Sequence, residues 1–119
     1  MARILVVDDS ELARSLISDV LVKNGHQART ASGGREALKI LASDPIDLLV
    51  TDFMMPEMNG EQLISNVRRD HPGLKVLLIS SYYDSEILPR DRSPGDAMLR
   101  KPFRNEDLVS EVGRLLESK

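Results

Sequence analysis

Residues 47–67 read Asp47-Leu48-Leu49-Val50-Thr51-Asp52-Phe53-Met54-Met55-Pro56-Glu57-Met58-Asn59-Gly60-Glu61-Gln62-Leu63-Ile64-Ser65-Asn66-Val67. Asp47 to Thr51 is a short apolar run of the kind that forms a strand buried on both faces, and Asp52 stands at its C-terminal end. A loop rich in Met and Pro follows. Asn59-Gly60 then opens a helix whose Leu63, Ile64 and Val67 recur at helical spacing, and it stops before His71-Pro72-Gly73. Strand, loop and helix in this order are one unit of a parallel α/β fold.

The same unit recurs on both sides. Ile4 to Val7 reads as a buried strand. Leu12, Leu16, Ile17, Val20 and Leu21 follow at helical spacing, closed by Asn24-Gly25. Gln27 to Ala31 is a more polar strand, expected near a sheet edge. Gly33 to Ser43 is a second helix, with Ala37, Leu38 and Leu41 inward. Its glycine pair lacks the spacing of a nucleotide loop and is read as a helix start. Val76 to Ile79 is the most apolar strand, hence expected in the sheet interior. A last helix from about Asn105 is expected to bury Leu108, Val109, Val112, Leu115 and Leu116. The pattern is βα five times over. With right-handed crossovers it gives a doubly wound, flavodoxin-like parallel sheet of five strands in the order 2-1-3-4-5. In the fourth unit Pro89 and Pro94 interrupt the helical pattern that starts at Asp84, which predicts a short or distorted fourth helix.

Composition agrees. The 119 residues suffice for one domain, taken as residues 1–119, and a chain of this length buries roughly two-thirds of its unfolded surface. Aromatic residues make up 3%, so Leu, Ile, Val, Ala and Met must build the core. Cysteine is absent, which excludes disulfides, thiolate metal sites and Cys nucleophiles and fits a reducing, cytoplasmic setting. No apolar run approaches the ~20 residues of a membrane span, and the first strand is too short for the apolar region of a signal peptide. A net charge of −3 gives no electrostatic footprint for nucleic acid, so output is expected through protein.

In open α/β sheets, ligands bind beyond the carboxyl ends of the strands, where the strand order reverses. Asp8 and Asp9 follow the first strand and Asp52 ends the third, and these strands are neighbours in the expected order. Three carboxylates that close cannot all stay ionised unaided, so either one takes up a proton or a cation binds. An all-oxygen site with few protein ligands suits Mg²⁺. Ser80 ends the fourth strand with a hydroxyl, and Lys101 ends the fifth with an ammonium. Each residue alone has an ordinary alternative: acids cap helices, and Ser and Lys decorate surfaces. Together at one sheet edge they describe a site for a phosphoryl group, with a carboxylate as nucleophile because neither Cys nor His is there. His26 and His71, beside turn residues, are expected to be exposed and are assigned to neither metal nor phosphoryl transfer. Met54, Met55 and Met58 are expected to pack the loop after Asp52.

Four segments, VVDDS (6–10), TDFMMPEMNG (51–60), LLISS (77–81) and LRKPF (99–103), resemble the signature segments of bacterial two-component response-regulator receiver domains, over essentially the whole chain. The resemblance implies that Asp52 is the phosphoacceptor. It implies that Asp9 ligates the metal directly, that Asp8 supports it largely through water, and that the backbone carbonyl of Met54 completes the protein ligands. Lys101 would pair with the phosphoryl group, Ser80 would be the hydroxyl switch residue, and Lys101-Pro102 would be a cis peptide. The implied partners are a histidine kinase or phosphotransfer protein upstream and a protein target downstream, with homodimerisation left open. Such a domain catalyses only its own phosphorylation and dephosphorylation and is not otherwise an enzyme. The departure lies at Met98, where the family commonly has the aromatic switch residue of the fifth strand. Tyr82 and Tyr83, just past Ser80, offer a replacement aromatic. Two competing readings stand beside this one. A phosphorylation-independent interaction or dimerisation module would use the fold without the chemistry. A Mg²⁺-dependent aspartyl-phosphate phosphatase would need Asp-x-Asp on one strand and a cap over the substrate, and the chain has adjacent acids and no residues for a cap.

Overall fold

The computed structural model describes residues 2–81 and 95–117. Nine elements follow in order: β1 (Arg3–Val7), α1 (Glu11–Lys23), β2 (Gln27–Ala31), α2 (Gly34–Ser43), β3 (Leu48–Asp52), α3 (Gly60–Asp70), β4 (Lys75–Ser80), β5 (Ala97–Arg100) and α4 (Asn105–Glu117). All strand pairs are parallel, in the order β2-β1-β3-β4-β5. The chain therefore winds outward from β1 to β2, then crosses back to β3, and the order reverses between β1 and β3. The distorted helix expected between β4 and β5, with Pro89, Pro94, Tyr82 and Tyr83, lies outside the described residues.

Side chains on successive strand residues point to opposite faces, and the sequence uses both. Leu5, Val7, Leu49, Val76 and Leu78 pack against Ala37, Ile40 and Leu41 of α2 and Leu63, Ile64 and Val67 of α3. Ile4, Val6, Leu48, Val50, Leu77 and Ile79 pack against Ile17 and Leu21 of α1 and Leu108, Val112 and Leu115 of α4. β3 is the middle strand and is buried along its whole length, and β4, also flanked on both sides, is as apolar as expected. β2, at the edge, is the polar strand.

Local signals set the helix starts. Ser10 caps α1 by accepting from the Ala13 N–H, and Asn59 and Gln62 form a reciprocal capping box at α3. Strand limits differ by a residue from the sequence pattern. Asp47 lies one residue before β3, where its N–H donates to the Arg3 carbonyl and its carboxylate accepts the Arg3 N–H, both at 2.8 Å.

Burial divides the apolar set of α1 and corrects the inward placing of Leu38, Val109 and Leu116. Leu12 and Leu16 of α1 are 69% and 58% exposed, and only Ile17 and Leu21 of that helix are buried. The apolar residues of α1 span a wider arc than its single contact with the sheet can cover. Leu38 is half-buried and Ile40 takes the inward place in α2, while Val109 and Leu116 are half-buried in α4. His26 and His71 are also half-buried rather than exposed, and His26 Nδ1 accepts the Ala2 N–H at 3.3 Å.

Candidate functional site

Register brings the site together. Val7 lies opposite Thr51, so Asp8 and Asp52 are the next residues of neighbouring strands. Asp52 lies opposite Ile79, and Ser80, one step further, lies opposite Arg100. The Lys101 N–H then donates to the Ser80 carbonyl at 2.7 Å, carrying the β4–β5 pairing to the rim. The Lys101-Pro102 peptide is cis.

Asp8, Asp9 and Asp52 each offer one carboxylate oxygen, and the three oxygens lie within 4.8 Å of one another. Lys101 Nζ faces two of these acids, 3.6 Å from Asp8 Oδ2 and 3.5 Å from Asp52 Oδ1. Asp8 is 2% exposed, Asp52 is almost as buried, and Asp9 is exposed. Burial pushes the Asp52 carboxyl up to about 6, and the neighbouring Asp8 charge adds to the rise. Lys101 opposes it by charge and hydrogen bonding, and a backbone hydrogen bond from Phe53 also lowers it, without cancelling the rise. Among the described residues, one ammonium between two acids thus leaves the pocket short of positive charge.

The donor set fits a hard divalent cation. Asp8 Oδ1 accepts the Ser10 N–H at 2.9 Å, whereas Asp8 Oδ2 is buried with no hydrogen-bond partner among the described residues. Its ion-pair partner among the described residues, Lys101 Nζ at 3.6 Å, is shared with Asp52, and a buried carboxylate oxygen without a hydrogen bond is costly. Three carboxylate oxygens within 4.8 Å of one another are near enough for one Mg²⁺ to be held among Asp8, Asp9 and Asp52.

The remaining sequence-derived residues divide. Ser80 is buried at the rim, on the strand next to Asp52. Met54 follows Asp52 by two residues, with its side chain 54% exposed, while Met55 is buried and Met58 packs against the α2–α3 core. Packing of the loop therefore falls to Met55 and Met58, since Met54 stands outside it. Met98 sits on β5 opposite Leu78, below the rim, 37% exposed and outside the acid–lysine cluster.

Three residues at the site escaped the sequence reading. Gly60 passes so close to Asp52 that an added Cβ would lie 2.7 Å from the Asp52 carbonyl oxygen and 2.9 Å from Phe53 Cα. Asn59-Gly60 signals a helix start, and nothing in it signals a close approach to a residue eight positions earlier. Thr51 is fully buried and donates its hydroxyl to the Asp52 carbonyl at 3.0 Å. Arg14 donates from Nη1 to the Asp8 carbonyl at 2.8 Å. Beside the site, Leu12, Leu16 and Val20 of α1 form one wall of an apolar groove of about 610 Å³, with Lys101, Pro102 and Phe103 along the other side.

With this geometry in place, comparison with known proteins adds an independent line. Residues 4–113 match the model of the response regulator receiver domain. The chain is 34% identical over 117 residues to the response regulator receiver protein CpdR of Brucella abortus (strain 2308), covering 98% of each. It is 32% identical over 115 residues to the response regulator protein FleR of Pseudomonas aeruginosa, covering 95% of this chain but 24% of that one. It thus spans about a quarter of the longer relative. Among solved structures, the response regulator TrrA of Thermotoga maritima, in complex with Mg(2+)-BeF, superposes with a TM-score of 0.86 at 31% identity, over 97% of this chain and 99% of that one.

Proposed function

The chain belongs to the response regulator receiver domain family of two-component signalling, and from that premise we propose that Asp52 accepts a phosphoryl group from a phosphohistidine in a Mg²⁺-dependent reaction. The observation that carries the proposal is one lysine ammonium facing two buried, neighbouring acids, with a third acid alongside. A structural ion pair needs one acid for one lysine. A surplus of buried carboxylates is a cost that cation and phosphoryl binding would relieve.

In this reading Asp52 is the nucleophile. Its carboxylate oxygen attacks phosphorus, the P–N bond of the donor breaks, and the imidazole leaves with the bond's electrons and takes up a proton. Asp8, Asp9 and Asp52, with the backbone carbonyl of Met54, would hold Mg²⁺, which when bound neutralises charge on the transferring oxygens. Lys101, now shared between Asp8 and Asp52, turns to a phosphoryl oxygen, and the Ser80 hydroxyl donates to another. The new negative charge at the rim then biases the loops that follow β3 and β4, and the changed surface is what a downstream protein reads. Receiver domains act as switches rather than turnover enzymes. The donor would be a histidine kinase or a phosphotransfer protein. The apolar groove sharing Lys101 with the site gives it a place to bury surface while its histidine reaches Asp52.

Incubation with Mg²⁺ and acetyl phosphate, followed by intact mass, tests the assignment. Wild type should gain one phosphoryl group, and Asp52→Asn should gain none. Wild type without uptake, or equal uptake by both proteins, would overturn it. Leu16→Ala, which touches the groove but not the acids, should slow transfer from a phosphohistidine donor about tenfold and leave acetyl phosphate uptake unchanged. That pattern follows if docking burial contributes on the order of 1.4 kcal/mol.

A further inference from the structure

Asp9 is the weakly anchored member of the acid cluster. It is exposed, and among the described residues its carboxylate has no hydrogen-bond partner. Asp8, by contrast, is tied at every backbone and side-chain atom but one. Its N–H donates to the Ala31 carbonyl at 3.2 Å, its Oδ1 accepts the Ser10 N–H, and its carbonyl accepts Arg14 Nη1 at 2.8 Å. The carbonyl of Asp8 belongs to the same peptide plane as the N–H of Asp9. The Ser10 N–H, held by Asp8 Oδ1, belongs to the peptide plane on the other side of Asp9, and with both flanking planes held the Asp9 side chain leaves the backbone in a set direction.

Arg14 is placed for this task and has no other use on the page. It stands in the second turn of α1, is half-buried, and forms no ion pair with a carboxylate among the described residues. A half-buried guanidinium directed to a backbone carbonyl, beside three acids it does not pair with, stabilises a backbone geometry rather than a charge. We infer that Arg14 is a positioning residue for the cation site, holding the Asp8–Asp9 peptide so that the Asp9 carboxylate is aimed at the ion shared with Asp8 and Asp52. This rests on the metal reading above. It places Arg14 where outer-shell partners of metal ligands act, and loss of such partners typically weakens metal affinity by about 10- to 100-fold.

The test is Mg²⁺ affinity, measured by calorimetry or by amide chemical-shift titration on the full chain, for wild type, Arg14→Met, Asp9→Asn and the double variant. Arg14→Met keeps much of the aliphatic stem and removes the donor. It should bind Mg²⁺ about tenfold or more weakly, while in the Asp9→Asn background the same change should have no further effect. Arg14→Lys, which keeps the charge and one donor group, should fall between wild type and Arg14→Met. It serves as the deciding variant if Arg14→Met does not fold. Unchanged Mg²⁺ affinity in both Arg14 variants, or an equal loss with and without Asp9, would overturn the inference and leave a purely structural bond. Failure of wild type itself to bind Mg²⁺ would instead overturn the metal reading on which it rests.

Discussion

The layer beneath α2 and α3 and the rim above it are joined by covalent neighbours yet built on opposite terms. In the layer, Leu5, Leu49, Leu63, Val67 and Leu78 are fully excluded from water and carry only apolar side chains into contact. At the rim, a carboxylate oxygen of Asp8 is buried without a hydrogen-bond partner among the described residues, Asp52 holds its proton up to about 6, and Glu57 adopts a positive φ of 68°. Close packing supplies stability in the first region. In the second, each of those features costs stability. The contrast separates what holds the molecule together from what it is for.

The contrast is broken most easily from the packed side. Leu63→Ala removes a fully buried side chain and should cost about 2–5 kcal/mol in urea unfolding. The molecules that remain folded should still take up a phosphoryl group on Asp52. Loss of uptake by folded Leu63→Ala protein would show that layer and rim are not separable. Gly60→Ala strikes the seam between them. The new methyl would meet the Asp52 carbonyl and Phe53 Cα, which are backbone and cannot swing aside. A cost of about 1–3 kcal/mol should accompany slower phosphoryl uptake. Gly34→Ala is the control, because the atoms it meets belong to the flexible Met58 side chain.

The packed layer was far more legible in the sequence than the rim. Periodicity identified Leu63, Ile64 and Val67 because a buried face must repeat at the helical period whatever else the helix does. The same rule does not tell Leu12 and Leu16 from Ile17 and Leu21, since an apolar stripe left open as a groove wall has the same spacing as a core stripe. Asp8, Asp9, Asp52 and Lys101 were legible because strand ends in a known order meet at a known edge. Gly60 and Arg14 were not. Their roles depend on contacts with backbone atoms, and a backbone oxygen leaves no residue-type signal for its partner.

Asp52→Asn sharpens the contrast from the rim side. The Asp52 carboxyl is pushed up to about 6 in the folded chain, against 3.8 for an unperturbed aspartate. The folded state therefore binds more protons than the unfolded state across that window. Stability should fall as pH rises from 3.8 toward about 6 and remain lowered above it. A shift of that size corresponds to about 3 kcal/mol, which partial solvent access screens to on the order of 1 to 2 kcal/mol. At neutral pH and without Mg²⁺, Asp52→Asn should be more stable by that amount, and the difference should vanish below pH 3.8. Urea unfolding of both proteins across pH checks the sign. A less stable variant at neutral pH would mean that the Lys101 pair outweighs burial and the Asp8 charge.

The smallest expected effect concerns Glu57. Its left-handed backbone costs about 1 kcal/mol or more for a residue with a long side chain, and Asn tolerates the same conformation better. The compensation at hand is weak. Glu57 pairs with Arg35 at 3.6 Å, but the two side chains are 70% and 79% exposed, and such a pair contributes little in water. Glu57→Asn should therefore raise stability by about 0.5 kcal/mol with phosphoryl uptake unchanged, because the loop between Asp52 and Gly60 keeps its path while its strain falls. Thermal unfolding compared with an Arg35→Ala control separates the backbone gain from the lost pair. If Glu57→Asn gains stability but takes up phosphoryl groups more slowly, Glu57 contributes to the site through its side chain as well. If it gains nothing, the strain at Glu57 is relieved locally, and the stability cost of the rim rests on its buried acids alone.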